Sequence, residues 1–488
     1  MKKLCIFLAI LTAISASLLA FAGCGASATP TPDSTPSATA PATQAQPTVT
    51  PDPPAEKGYD GSEVTIRFYH TMGQPLQEIL NQYIEEFNTY YPNIHIDHSQ
   101  VGGYDDVRNQ IKTEITVGDQ PNLAYCYPDH VALYNDADAV QKLDSLIGSK
   151  AEVTRADGSK EIMGLTEEQL ADYVETYWEE GKVYGDGLTY TVPFSKSTEF
   201  LFYNKTFFEQ NHLTVPATWD EMYALCKKIK EINPNCIPLG VDSEANWFIT
   251  MCEQSGSTYT SASSPHFLFN NETNRAFVKE FNKWYSEGLV TTQGLLGNYT
   301  SNIFVEQTSY MSIGSSGGTS HQKPEKVDGV SPFEVGIAQI PQVNPAKPKA
   351  ISQGPSIVIF KEGKKITEQQ VYASWLFVKF LTTSAAFQAD FSRVSGYFPV
   401  IKSVNTDPVY TSYLEKADGF DYLQALAVKV GVELADSYYT SPAFVGSSDA
   451  RDEVGRLFVK CLTITQNVDS GIESAFEEAI TECEYRFE

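Results

Sequence analysis

Two adjacent acidic pairs, Glu85-Glu86 and Asp105-Asp106, are the residues best suited by type to acid–base work. An exported glycoside hydrolase, the enzyme such pairs would suggest, needs two carboxyl groups flanking one bond. Both pairs fall in segments of helical periodicity, where adjacent side chains diverge by about 100° and cannot face one point. They read as solvated surface. His95 and His98 are the best metal lure, but they lie at the end of a predicted strand with no cysteine or acidic cluster at ligand spacing. The chain has no Gly-Lys-Ser type phosphate loop. No catalytic residue, metal or cofactor is expected.

Chemistry of another kind is written at the amino terminus. Met1-Lys2-Lys3 is a short basic segment, Leu4 to Leu19 is apolar, and the small residues Ala22 and Gly23 stand directly before Cys24. Charge, apolar core and small-residue cleavage site are the layout of a secretory signal at residues 1–23. Cysteine directly after the small pair resembles the bacterial lipobox, which implies a diacylglycerol on the Cys24 sulfur. One acyl chain binds a membrane only marginally, so stable anchoring needs further chains. The other readings of this stretch are a plain secretory signal or an uncleaved membrane helix, since about 20 apolar residues suffice to span.

Residues 24–60 are built almost entirely of Ala, Ser, Thr, Pro and Gln. With so little apolar surface to bury, such a segment stays disordered. Its prolines favour an extended chain of about 3.1 Å per residue, enough to hold a folded body as much as roughly 100 Å from a membrane. The expected location is the outer face of the cell membrane, on a lipid anchor.

The remaining body of about 430 residues is too large for one core and suggests two domains. Loss of the leader with Lys2 and Lys3 takes the net charge from -26 to -28. So acidic a surface argues against nucleic acid and anionic lipid as partners, and a monomer is expected. The body keeps Cys126, Cys226, Cys236, Cys252, Cys461 and Cys483, none in a Cys-x-x-Cys pair. Buried free thiols are expected, with a Cys226–Cys236 pairing left open.

The elements that must position any site alternate between strand and helix. Val64 to Tyr69 alternates as a strand does, and Pro75 opens a helix with Leu76, Ile79, Leu80, Tyr83, Ile84 and Phe87 on one face. Ile94 to Ile96 is the next strand, then a helix through Val107, Ile111 and Ile115 that stops at Gly118, then a strand from Asn122 to Tyr127. That order defines an α/β domain with a mainly parallel sheet. Thr191 to Tyr203 is apolar and crosses a first hinge. Thr218-Trp219-Asp220-Glu221 and Thr367-x-x-Gln370 are capping boxes, Thr273 caps a helix through Phe277, Phe281 and Trp284, and Ser470 starts the last helix. Strands are predicted at Ser309 to Ile313, Glu334 to Ile340 and Ser356 to Phe360. The whole is two α/β lobes with the chain crossing between them more than once.

Five motifs in register then resemble one family. They are the start ValThrIleArgPheTyrHisThrMetGly with a Phe-Asn-x-x-Tyr-Pro helix tail, the turn Gly118-Asp119-Gln120-Pro121-Asn122, and the crossover Pro193-Phe194-Ser195-Lys196-Ser197-Thr198 with Phe202-Tyr203-Asn204-Lys205. Pro216 to Glu221 and Ser395-Gly396-Tyr397-Phe398-Pro399-Val400 complete the set. Together they resemble extracellular solute-binding proteins of family 1. The resemblance implies a two-lobe, maltose-binding-like (type II) periplasmic-binding fold with a hinge and an interlobe ligand cleft. It also implies a small solute, most readily a carbohydrate, delivered to ABC transporter permease subunits. The expected lobes are 61–195 plus 345–382 and 196–344 plus 383–488. The 27 Tyr and 27 Phe offer stacking platforms, although most must be core.

Within the family, the Phe-Tyr-His-Thr-Met-Gly start, the Ser315-Ser316-Gly317 loop and the Gly354 turn are most similar to glycerol-3-phosphate and phosphodiester binders. By that resemblance Tyr104, Tyr127, Ser197, Trp247, Ser316, Gly354 and Tyr397 become cleft residues, joined by Thr198 and Gly317. Tyr127 also sits at the carboxyl end of a predicted strand, where open α/β sheets bind ligands. Tyr104 reads equally as a surface tyrosine, Ser197 and Thr198 as structural hydroxyls, and Ser316-Gly317-Gly318 as a plain tight turn. Trp247 follows the polar stretch Asp242 to Asn246 rather than an apolar face, which favours a stacking role. The phosphate binders carry an arginine in a Leu-Arg-Leu-Gly-Asn segment. Here Ala443-Phe444-Val445-Gly446-Ser447 stands in its place, with no basic residue until Arg451. That departure favours a neutral sugar, with Phe444 as a stacking face, over glycerol 3-phosphate or a glycerophosphodiester.

Overall fold

The computed structural model describes residues 56–441 and 443–487. The leader at 1–23, Cys24 and the spacer as far as residue 55 lie outside the described residues. Among the described residues no helix is long and apolar enough to cross a membrane.

Two five-stranded sheets organise the chain. The first runs Ile94–Gln100, Val64–His70, Leu123–Cys126, Ser356–Ile359, Thr191–Pro193. Its first three strands are parallel, as the strand–helix–strand–helix–strand order requires. Ser356–Ile359 arrives from far along the chain and inserts antiparallel between Leu123–Cys126 and Thr191–Pro193. Helix Gln74–Tyr90 lays Leu80, Tyr83, Ile84 and Phe87 against this sheet. Each such side chain, fully buried, stabilises by about 1.5–3 kcal/mol.

The second sheet runs Val335–Gln339, Glu199–Asn204, Met311–Ser315, Leu239–Val241, Val290–Thr292. Inner strand Glu199–Asn204 is covered on both faces, which explains its continuous run of large apolar residues. Leu201 packs with Leu239, Val241, Trp247 and Phe458 in the core of this lobe. Phe200 and Phe202 point the other way and join the first core beside Phe398 and Val428.

The capping boxes at Thr218 and Thr367 form as the sequence predicts. Two helix starts differ. Asn271, not Thr273, caps helix Glu272–Ser286 by accepting from the Asn274 N–H, and the last helix begins at Val468, ahead of Ser470. All six body cysteines are buried and free, Cys226 and Cys236 included. A body with cores of this size holds together without staples.

The crossing between sheets is a small braid. Lys196 and Phe398 exchange backbone hydrogen bonds, and so do Ser197 and Gln353. Ala350–Ile351 pairs in parallel with Tyr438–Tyr439 beside them. Gly354 takes φ +91° here, and a β-carbon on it would collide with the Ser195 carbonyl, so glycine is the residue that fits. Helix Ala385–Ser395 packs Phe387 on Tyr83 and Phe194, so contacts to the first sheet extend past residue 382.

Candidate functional site

The first strand-to-helix turn of the site is made by Tyr127. It caps helix Pro128–Asp136 directly after strand Leu123–Cys126, which places its ring at the carboxyl edge of the sheet. Tyr104 opens helix Tyr104–Ile115 after Gly102 and Gly103, where Asp106 accepts the Gly103 N–H at 2.8 Å. The two rings stack with centroids 4.4 Å apart. Tyr397, carried by the Gly396 turn, brings its hydroxyl to 3.4 Å from that of Tyr104. Gly317 lies against the Tyr397 ring. Tyr104, Tyr127, Tyr397 and Gly317 are thus one cluster. Burial pushes all three phenols above the usual tyrosine range, so they stay protonated at neutral pH.

Beside this cluster lies a small pocket, with a cavity volume of about 30 Å³. Tyr127, Pro128 and Asp129 form one wall and Ile249 and Tyr259 another. The crossing segments supply Ile351, Ser352, Gln353, Thr440 and Ser441, and helix Ser447–Leu462 supplies Ser447 and Arg451. Asp129 Oδ2, Tyr259 OH, Gln353 Oε1 and Ser441 Oγ are buried and have no hydrogen-bond partner among the described residues. Each such orphan costs about 1–3 kcal/mol, so four around one pocket point to a polar occupant. The guanidinium of Arg451 lies 5.9 Å from the centroid of the Tyr127 ring. It donates to Asn246 Oδ1, and Asn246 Nδ2 donates to Glu199 Oε1 at 2.8 Å. Burial pushes the Glu199 carboxyl up to about 7, against the pull of Asn246.

The other expected residues lie elsewhere. Ser197, Thr198 and Ser316 are almost wholly buried in the braid. Thr198 Oγ1 donates to Ile351 O at 2.7 Å, and Ser316 Oγ accepts the Thr198 N–H at 3.3 Å. With Gly354 they hold the crossing together. Gly314 to Gly318 carries the Gly-x-Ser-x-Gly spacing of a nucleophile elbow. An elbow exposes its serine, whereas Ser316 is fully enclosed. Trp247 sits in the core of the second lobe, 4 % exposed, stacked on Phe458 at 4.1 Å and flanked by Phe281. The polar stretch Asp242 to Asn246 has partners within the protein: Ser243 caps helix Glu244–Ser255, Asp242 accepts from Thr300, and Asn246 bridges Glu199 and Arg451. Phe444 stacks on His266 at 5.3 Å and is not part of the pocket wall. Asp105 pairs with Arg108 and Asp106 caps Gly103, while Glu85 and Glu86 are exposed. His98 Nδ1 lies 2.8 Å from Nε2 of the buried His70.

Arg451, Asp129, Tyr259, Gln353 and Ser441 escape sequence reading. Arg451 is the first basic residue after the Ala443–Ser447 stretch that stands in place of the arginine segment. A helix from Ser447 brings it back to the pocket one turn in. That helix was the available signal, through Val454, Leu457, Phe458 and Cys461 at helical spacing.

Two lobes joined by a braid, with a polar-lined pocket at the crossing, define the maltose-binding-like fold. The chain matches the family described as bacterial extracellular solute-binding protein over residues 82–417, and it belongs to that family. It is 23% identical over 349 residues to the maltotriose-binding protein of Pyrococcus abyssi, covering 70% of this chain and 68% of that one. It is 27% identical over 169 residues to the multiple sugar-binding protein of Streptococcus mutans, a match spanning 34% of each chain. The crystal structure of UgpB from Mycobacterium tuberculosis in complex with glycerophosphocholine superposes with TM-score 0.70 at 17% identity, covering 88% of this chain and 100% of that one.

Proposed function

We propose that this protein captures a carbohydrate in the pocket at the crossing of its two lobes and passes it to the permease of an ABC importer. The observation that carries the reading is the set of four unpartnered polar side-chain atoms around a pocket walled by Tyr127. Sugars match such a wall, because their C–H faces stack on aromatic rings while their hydroxyls take hydrogen bonds. The sugar-binding names of the two relatives support it. The lobes, one about each five-stranded sheet, close about the braid as hinged domains do, with helix Ala385–Ser395 moving with the first. Tyr104, Tyr397 and Gly317 stand behind Tyr127, and Ser197, Thr198, Ser316 and Gly354 set the hinge. No catalytic step is assigned to the chain, which works as a monomer. Acylation of Cys24 and the proline-rich spacer hold it near the importer at the outer face of the membrane.

A second reading, capture of a glycerophosphodiester, is favoured by Arg451 in the pocket wall and by the UgpB likeness. Thermal unfolding of the chain without its first 23 residues tests both, against a panel of sugars, polyols and glycerophosphodiesters. A true ligand at 100 times its Kd adds about 2.7 kcal/mol and raises the midpoint. A flat response across the panel would sink small-solute capture. Cys24→Ala should release the protein into the medium, and retention on the membrane would count against lipidation.

A further inference from the structure

The kind of solute follows from how two opposite charges share the pocket, an argument that rests on the capture reading above. Asp129 and Arg451 both line it. Asp129 is the leading charge acting on the Arg451 guanidinium, after the opposing effect of burial. The two nevertheless make no direct hydrogen bond. Among the described residues Arg451 donates from its side chain to Asn246, and Asp129 Oδ2 has no partner. A guanidinium carries five N–H donors, so most of its capacity remains for the pocket.

A charged acceptor and a charged donor that line one small space without bonding to each other are complementary to a group that is both donor and acceptor. Hydroxyls on adjacent carbons are such a group. One O–H donates to the carboxylate while the neighbouring oxygen accepts from the guanidinium. An anion is not complementary. A phosphate or carboxylate would bond to Arg451 but would bring its charge against Asp129 in the same water-poor space. The other orphaned atoms are an amide oxygen on Gln353 and hydroxyls on Tyr259 and Ser441, and none adds positive charge. The net charge of -26 opposes the approach of an anion as well.

We infer that the pocket selects uncharged polyhydroxylated solutes, with Asp129 and Arg451 as the specificity-determining pair that brackets vicinal hydroxyls, and that it discriminates against uronates and phosphate esters.

Calorimetric titration of the chain without its first 23 residues tests this. The probes are neutral sugars, each paired with its uronate or phosphate ester, together with glycerol 3-phosphate. The best neutral sugar should bind at least about 100-fold more tightly than its charged derivative. Asp129→Asn should weaken neutral binding roughly 10- to 100-fold and narrow that discrimination, as expected for loss of a charged hydrogen-bond acceptor. Ser441→Ala, at an orphaned hydroxyl, should weaken neutral binding without changing the discrimination. Equal or tighter binding of the charged derivative, or unchanged discrimination in Asp129→Asn, would overturn the inference while leaving solute capture in place. Absence of binding to both sets by the unaltered chain would overturn the capture reading and this inference with it.

Discussion

Gly317 lies so close beneath Tyr397 that a β-carbon there would sit 2.5 Å from the ring's Cζ. The loop glycine therefore sets the position of the ring, and through the Tyr104–Tyr397 contact it sets the tyrosine cluster behind the pocket. Gly317→Ala should displace Tyr397 and lower ligand affinity about tenfold, with an overpacking cost of roughly 1–3 kcal/mol. Titration of the variant beside Tyr397→Phe, which keeps the ring, separates position from hydroxyl. Unaltered affinity in Gly317→Ala would show that the cluster does not support the pocket.

Glu199 gives stability a pH dependence. Its carboxyl titrates at about 7 in the fold against 4.5 as the reference value, with burial as the main cause. Between those values the folded chain holds a proton that the unfolded chain has released, so stability falls as pH rises from about 4.5 to about 7 and levels off above. The contribution is at most roughly 3 kcal/mol. Glu199→Gln should flatten that slope and be the more stable protein at pH 8. Urea unfolding from pH 5 to pH 8 reads both, and identical slopes would rule Glu199 out as the source.

In the braid, Lys196 and Glu180 form an ion pair with both side chains almost fully enclosed. Ser352 and Thr440, two residues of the pocket wall, donate to the second Glu180 oxygen at 3.3 and 3.4 Å. Lys196→Met strands the carboxylate and should cost about 3–5 kcal/mol. Adding Glu180→Leu should return much of that stability, because an apolar pair of similar size replaces the ions. A double variant no more stable than the single would show that the pair carries more than its own desolvation.

Trp247→Ala removes a ring enclosed by Phe458, Phe281 and Phe277. The expected result is a loss of about 3–5 kcal/mol in stability. Its melting temperature should fall whether or not a sugar is present. A variant that melted normally but failed to bind would return Trp247 to the ligand.

Periodicity and caps carried much of the architecture. The helix from Pro75, the boxes at Thr218 and Thr367 and the three parallel strands were legible because each repeats a local rule over several residues. Strands Leu239–Val241 and Val290–Thr292 were not, being three residues long and fully buried, with no alternation to read. The site was harder. Tyr127 announced itself by ending a strand, whereas Tyr259, Gln353, Ser441 and Arg451 come from separate segments that only the tertiary fold gathers. Trp247 misled because a helix cap and a ligand-facing loop use the same polar residues. Phe444 misled because its position in a motif says nothing about His266, the neighbour that covers its ring.

Asn246 joins a carboxyl to a guanidinium, and an amide can do so in one sense only. Its oxygen must meet Arg451 and its nitrogen must meet Glu199. Aspartate there would set two carboxyls face to face, and leucine would leave both neighbours without a partner. The side chain works like a keyed plug between two sockets of opposite polarity, so the bearing of Arg451 toward the pocket is decided on the far side of the pocket wall.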